Sequence, residues 1–92
     1  MTTLPIQFTD TFAALFAAPP HQDVAAVDRM LDELERGHDQ PQMRGILRIG
    51  AHTLFATPRI HAPGAIYRVT WRYDDRDDPT AIVCITVAGV ET

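Results

Sequence analysis

The arginines in the middle of the chain are the residues whose type and spacing are best suited to chemistry. Residues 40–73 contain five arginines and no acidic residue. A guanidinium can bind a phosphate or a carboxylate through two parallel hydrogen bonds, so this block can form a local anion site. The arginines of the block are Arg44, Arg48, Arg59, Arg68 and Arg72.

Cleavage of a phosphodiester without a metal ion is one reaction that such a block can support. It requires a base, an acid and cations that stabilise the charge developing on the phosphorane. The cations can come from Arg59, Arg68 and Arg72. His61 lies two residues after Arg59, on the same side of a strand, and is the candidate general base. The alternative interpretation is a solvated sheet face whose arginines pair with acids of a helix or of the loop at residues 74–78.

Three aromatic residues lie at every second or fourth position in a predicted strand at the end of this block. Tyr67, Trp71 and Tyr73 share one face of a predicted strand with Val69. Aromatic rings on a sheet can stack on the bases of a single-stranded nucleic acid. At this spacing they more often form the core, and we predict a core face, with Tyr73 at its exposed end.

The histidines and the single cysteine predict neither a metal site nor a nucleophilic site. The four histidines lack the spacing of metal ligands, and neither a CxxC nor an HExxH motif is present. Cys84 lies between Val83 and Ile85, which predicts a buried and unreactive thiol. We therefore predict no metal and no cofactor.

Length and composition indicate one folded domain covering residues 1–92, with 46 % hydrophobic residues and a net charge of −4. The charge disfavours a general coat for nucleic acid. The longest apolar run, residues 12–18, is too short to span a membrane, so no membrane association is expected. The N-terminal residues do not resemble a signal peptide, and the single cysteine excludes an internal disulfide, which favours the cytoplasm.

Two helices are predicted to follow a short first strand. Leu4, Ile6 and Phe8 alternate along this strand, and Pro5 predicts that it lies at a sheet edge. Thr9 or Asp10 is predicted to cap a helix that runs to about Ala18 and ends at the following prolines. A second helix is predicted from a cap at Asp23 to a stop at Gly37. It carries an apolar stripe of Val24, Val27, Leu31 and Leu34.

In the second half of the chain the hydrophobic residues alternate with a period of two, which is typical of strands. We predict strands at residues 53–61, bent or interrupted near Pro58, at residues 65–73, and at residues 81–88. The last is apolar on both faces and is predicted to be central or well covered. Residues 38–50 are ambiguous, and residues 74–79 read as a solvated loop. The predicted fold is α+β with the order β-α-α-β-β-β, an N-terminal helical hairpin packed on a small antiparallel sheet.

These stretches resemble the RelE/ParE-like toxins of bacterial toxin–antitoxin pairs. Residues 6–15 are similar to the opening strand and helix of the family, and residues 24–34 to its second helix. Residues 55–61 and 65–71 resemble the family's Arg-Ile/Val strand and its Tyr-Arg-Val/Ile strand. Residues 82–89 are similar to its last hydrophobic strand.

The resemblance implies a small toxin that a cognate antitoxin neutralises. RelE-type members cut messenger RNA, usually at the ribosome, whereas ParE-type members poison DNA gyrase. Arg59 and Arg68 match the strand arginines that hold the scissile phosphate in the ribonucleases. We therefore predict Arg59, Arg68 and His61 as catalytic residues, with Arg44, Arg48 and Arg72 binding RNA phosphates.

Departures from the family keep two other functions open. Ribonuclease members place histidine, tyrosine, lysine or arginine in and after the final strand, but residues 87–92 contain none of them. The chain also lacks lysine and is acidic, whereas the family is usually basic. The first alternative is a non-catalytic protein binder on the same fold, either directed at gyrase or degenerate. The second is a small accessory protein whose sheet edge pairs with a copy of itself.

Overall fold

The computed structural model describes residues 3–91, apart from the side chains at positions 49, 90 and 91. The fold is α+β, as predicted, with two helices and a six-stranded, mostly antiparallel sheet. The elements in chain order are β1 (Ile6–Phe8), α1 (Asp10–Ala17), α2 (His21–Gly37), a short 3₁₀ helix (Pro41–Arg44), β2 (Gly45–Ile49), β3 (His52–Ala56), β4 (Ile60–His61), β5 (Ala65–Tyr73) and β6 (Ile82–Glu91).

Helix α1 begins with the predicted cap at Thr9. The Thr9 hydroxyl oxygen accepts a 3.1 Å hydrogen bond from the Phe12 N–H, and the hydroxyl donates one of 3.1 Å to the Ile85 carbonyl. The second bond attaches the start of the helix to β6. Phe12 is completely buried, and its ring stacks on that of Phe8 at 4.8 Å between centroids. Helix α1 therefore packs on the end of the sheet formed by β1 and β6.

Helix α2 begins three residues earlier than predicted, because Pro20 and not Asp23 supplies its N-cap position. The prediction of Asp23 as the cap was wrong. Asp23 lies within the first turn, and its carboxyl is buried against Gly64 and Tyr67. The helix ends at Gly37, as predicted. Its buried stripe consists of Asp23, Ala26, Val27, Leu31 and Leu34.

The strand order is β1-β6-β5-β3-β2, with β4 also paired to β5. Strand β6 is central, as predicted. Strand β1 pairs in parallel with β6 alone and so occupies an edge, in agreement with Pro5. Residues 52–61 form two strands rather than one, and the predicted interruption near Pro58 is confirmed. Thr57 spans the break, because its N–H donates to the Val69 carbonyl and its hydroxyl oxygen accepts from the Val69 N–H.

The ambiguous segment contains the strand that the predicted order omitted. Strand β2 forms a hairpin with β3 through Gly50, whose φ of +61° suits glycine. Ile46 and Leu47 are 61 % and 36 % exposed, so the strand buries little apolar surface. Its hydrophobic pattern was therefore too weak to distinguish strand from loop.

The two faces of β5 have opposite environments. Tyr67, Val69 and Trp71 are buried in one core with residues of both helices, as predicted. The Trp71 indole N–H donates a 2.9 Å hydrogen bond to the Met43 carbonyl, which satisfies the indole nitrogen in the core. Arg68 and Arg72 alternate with these residues and are exposed on the other face. Among the described residues, no helix combines the length and hydropathy needed to cross a bilayer.

Candidate functional site

The sheet face that the helices leave uncovered carries two of the predicted arginines. Arg68 and Arg72 are both exposed and lie four residues apart on β5, which corresponds to about 13 Å along a strand. Thr70 lies between them, and its hydroxyl bonds to the Thr86 hydroxyl at 2.5 Å across to β6. Because the threonines satisfy each other, the two guanidinium groups are the polar groups that this stretch of β5 offers to a ligand.

Arg68 is oriented by the break between β3 and β4. Its Nε donates a 3.0 Å hydrogen bond to the Thr57 carbonyl. Its Nη2 occupies space above Gly45, where an added Cβ would lie 3.3 Å away. The partner is a carbonyl and not a carboxylate, so the positive charge of Arg68 is not neutralised by this contact.

Arg59 and His61 lie together in a different place. Both are exposed and line a groove of about 320 Å³ beside α2, together with Arg29 and Glu33. Arg68 does not line this groove. The structure thus brings Arg59 and His61 to one groove, but Arg59 precedes β4 and does not lie in a strand as predicted. The two residues do not share a cavity with Arg68.

Arg44 and Arg72 line a larger cleft of about 890 Å³, where the end of α2 meets β3 and the loop after β5. His38, His52 and Arg76 also line this cleft. Arg48 does not: it is exposed on the edge strand β2, opposite Thr53.

A hydrogen-bonded network holds Arg44 in the cleft. Its Nε donates to the His38 carbonyl at 3.0 Å, and its Nη2 donates to the Tyr73 hydroxyl at 2.5 Å. The guanidinium carbon lies 5.5 Å from the centre of the Tyr73 ring and 5.8 Å from that of Phe55, within the range of cation–π attraction. Arg44 is therefore fixed by groups from three different segments.

The Tyr73 hydroxyl also lies 2.8 Å from Nδ1 of His38. A guanidinium only donates hydrogen bonds, so the tyrosine oxygen accepts from Arg44. Which partner donates in the bond between Tyr73 and His38 depends on the histidine tautomer. Arg44, Tyr73 and His38 thus form one hydrogen-bonded chain.

The sequence did not assign His38 or Tyr73 to a site. Each lies where a regular element ends, Tyr73 at the last residue of β5 and His38 just after α2. Such positions often carry functional side chains, because the element fixes the backbone while the side chain reaches solvent. The position of Tyr73 at the end of a predicted strand could have indicated a functional residue. Nothing in the sequence indicated such a role for His38.

The loop at residues 74–80 is exposed to solvent, as predicted for residues 74–79, and Asp74 orders its backbone. Oδ1 of Asp74 accepts hydrogen bonds from the backbone N–H groups of Asp75, Thr80 and Ala81 at 2.8 to 3.0 Å. Oδ2 accepts one from the Thr80 hydroxyl. These bonds, with that of the Thr80 hydroxyl the strongest, hold the pKa of Asp74 well below its usual range. The loop carrying Arg76 is therefore anchored at its base.

Cys84 is buried in the core, as predicted. Burial raises the pKa of its thiol to about 12, which excludes a nucleophilic thiolate near neutral pH. Within residues 3–91, no group of three or more histidine, cysteine, aspartate or glutamate side chains is arranged to hold a metal ion. The candidate chemistry in this part of the chain is therefore that of arginine, histidine and tyrosine.

Comparison with solved structures identifies a chain with the same fold. It belongs to the crystal structure of the toxin–antitoxin complex RelBE2 from Mycobacterium tuberculosis, with a TM-score of 0.72 and 24 % sequence identity. The alignment covers 97 % of this chain and 100 % of that chain. No protein-family model and no curated protein sequence matches this chain. At this level of identity the likeness shows the fold, which this protein shares along nearly its whole length with a chain of that complex.

Proposed function

We propose that this protein is the toxin component of a type II toxin–antitoxin system and that it acts on RNA. The fold supports the first part, because it extends over the full length of a chain from a toxin–antitoxin complex. The second part depends on one observation: Arg68 is exposed on the sheet face that the helices leave uncovered, and within the described residues it has no carboxylate partner. Such a toxin would act in the cytoplasm, where messenger RNA and the ribosome are found.

In this proposal the RNA strand lies along β5. Arg68 binds the scissile phosphate, and Arg72 binds a second phosphate on the same face. A guanidinium that is already positioned stabilises the negative charge developing on the phosphate in the transition state without reorganising. Arg59 and His61 line the groove beside α2, and His61 pairs with Ile66 of β5, two residues before Arg68. They are the proposed second cation and general base.

The proposal includes an antitoxin as the protein partner. Strand β2 is the sheet edge that best suits it, because its outer side carries no paired strand in the described part of the chain. Ile46 and Leu47 expose apolar surface on its two faces. An extended or helical antitoxin segment at this edge would cover both side chains. The same edge could pair with a second copy of the chain.

Growth of a bacterium under inducible expression tests the proposal. Expression of the wild-type chain should arrest growth and produce cleaved transcripts, and Arg68→Ala should relieve both effects. Arg36→Ala is the matched control, because Arg36 is exposed on α2 and, among the described residues, its side chain bonds only to the Asp32 carbonyl of its own helix. Harmless accumulation of folded wild-type protein would contradict the proposal.

A non-catalytic toxin directed at DNA gyrase is the second candidate. The composition of β6 favours this candidate, because residues 82–91 contain no histidine, tyrosine, lysine or arginine that could act as acid, base or cation. The one cysteine of the strand is buried. Growth arrest with induction of the DNA-damage response and intact transcripts would select this candidate. Arrest with cleaved transcripts would exclude it.

A further inference from the structure

We propose that the large cleft at the end of β5 is a nucleotide-binding site. The cleft is called here the Arg44–Tyr73 cleft, and the residues that carry the argument are His38, Arg44, Phe55, Arg72, Tyr73 and Arg76. The ligand is a nucleotide, either free or as one unit of an RNA strand. The arginines hold its phosphate, and the base lies against the apolar wall. This inference deepens the proposed function. It rests on that function only where the nucleotide is taken to be part of an RNA strand.

The charge of the cleft favours an anion. Its lining includes three arginines and one aspartate, although the whole chain has a net charge of −4. The arginines come from the end of the 3₁₀ helix, from β5 and from the loop that follows β5. Two distant parts of the chain, residue 44 and residues 72–76, thus bring positive charge to one concave surface. The field inside such a cleft is stronger than that of an exposed pair, because low-dielectric walls focus it.

The single aspartate does not cancel this charge. Asp74 directs both of its carboxylate oxygens to donors of its own loop, three backbone N–H groups and the Thr80 hydroxyl. These neutral donors occupy both oxygens but leave the charge of Asp74 in place, so the three arginines of the lining exceed its one aspartate by two charges. The loop that they order presents Arg76. None of the three arginines forms a hydrogen bond with Asp74 in the described part of the chain.

Arg44 is prepared to bind a phosphate. Two of its N–H groups are used by the His38 carbonyl and the Tyr73 hydroxyl, which fixes the plane of the guanidinium. Its remaining N–H groups have no hydrogen-bond partner in the described part of the chain and can bind a ligand. An arginine that is ordered before binding loses less conformational entropy when the ligand arrives. Arg72 and Arg76 are exposed and can close on the phosphate from the other side.

Size and lining fit a nucleotide better than a bare phosphate ion. A volume of about 890 Å³ lies near the upper end of the range for small-molecule sites, roughly 300 to 1,000 Å³. The cleft also contains apolar and aromatic surface from Ile46, Leu54 and Phe55. Phe55 is half-buried and packs against the core, so this wall is rigid. A flat base can lie against it while the phosphate contacts the arginines.

Arg72 connects the cleft to the proposed RNA face. It alternates with the core residues of β5 and shares the uncovered face with Arg68, yet it also lines the Arg44–Tyr73 cleft. A strand that binds along β5 would therefore reach the cleft at the end of β5. One nucleotide of the RNA strand could therefore enter the Arg44–Tyr73 cleft beside Arg72.

Isothermal titration calorimetry on the full chain tests the site with three probes: adenosine 5′-monophosphate, a short single-stranded oligoadenylate and adenosine. We expect Arg72→Ala and Arg76→Ala each to weaken binding of a phosphate-bearing probe about tenfold. Each variant should also reduce the dependence of log Kd on log salt concentration, because one fewer cation contacts the phosphate. Arg36→Ala is the control and should bind as the wild type does. Circular dichroism confirms that each variant is folded.

The outcomes separate the sources of the ligand. Arginine-dependent binding of the monophosphate supports a site for the free nucleotide, and binding of the oligonucleotide alone supports a site for a strand. Absence of binding by the wild type, equal affinity for adenosine, or equal loss in Arg36→Ala would overturn the proposal. Growth arrest that depends on Arg68 without any nucleotide binding would reject this site alone. Binding without growth arrest would reject the proposed function and retain the site.

Discussion

The hydroxyl of Tyr67 donates a 2.8 Å hydrogen bond to Oδ2 of Asp23, both side chains being buried. The other carboxylate oxygen accepts a 3.1 Å bond from the Gly64 N–H. One carboxyl therefore joins the first turn of α2 to β5 and to the turn between β4 and β5. Arg59 and His61 lie on the segment that leads into this turn, so Asp23 fixes the backbone on which they are carried.

Removal of the Tyr67 hydroxyl should destabilise the protein. Tyr67→Phe leaves one oxygen of a buried carboxyl without its partner, and we expect a loss of about 1 to 3 kcal/mol in the free energy of unfolding. Urea denaturation followed by the fluorescence of the buried Trp71 measures it. A double-mutant cycle with Asp23→Ala isolates the pair. Strict additivity of the two changes would contradict a direct interaction.

Stability should also fall in alkali because of Tyr67. The hydrogen bond to Asp23, burial and the nearby Asp23 charge raise the pKa of Tyr67 above its usual value of 10. Above pH 10 the unfolded chain loses this proton while the folded protein keeps it, so the unfolding free energy decreases with pH. Tyr67→Phe should flatten that decrease. The comparison needs a Cys84→Ala background, since the raised pKa of Cys84 acts in the same direction from about pH 9.

Gly89 is expected to tolerate no side chain. A Cβ at this position would lie 2.5 Å from Cε1 of Tyr67 and 2.8 Å from its Cδ1, and the ring cannot move away without breaking the bond to Asp23. Gly89→Ala should cost about 1 to 3 kcal/mol by overpacking. Thermal unfolding measures the change. In a Tyr67→Leu background the added cost of Gly89→Ala should become smaller, and an unchanged cost would refute the steric explanation.

The Asp74 loop should lose stability in acid. Because the pKa of Asp74 is lowered by its hydrogen bonds, its contribution to stability is present above the ordinary carboxyl pKa near 4 and is lost as the pH falls. Asp74→Ala should therefore reduce stability at neutral pH and make it depend less on pH below 5. Chemical denaturation at a series of pH values provides the measurement. Asp77→Ala, in the same exposed loop, is the control and should leave the acid limb unchanged.

Local patterns in the sequence were sufficient for the elements that bury one clear face. The stripe of α2, the alternation of β5 and the doubly apolar β6 each predicted an observed element, because burial imposes a period on the residues that it selects. Strand β2 could not be predicted, since Ile46 and Leu47 remain exposed and impose no such period. Asp23 was assigned to a cap for a similar reason, as its partners, Gly64 and Tyr67, lie 41 and 44 residues away.

The candidate sites divide in the same way. The sequence by itself determined that arginines 44 to 72 form a block without acids and that Arg68 and Arg72 share one strand face, because charge is counted and strand faces alternate along the chain. Only the tertiary structure decided which of them meet. It placed Arg59 and His61 beside α2, and it joined Arg44 to His38 and Tyr73 in a cleft with Arg72. These arrangements depend on contacts between segments that are distant in the chain, and the local spacing of residues does not predict such contacts.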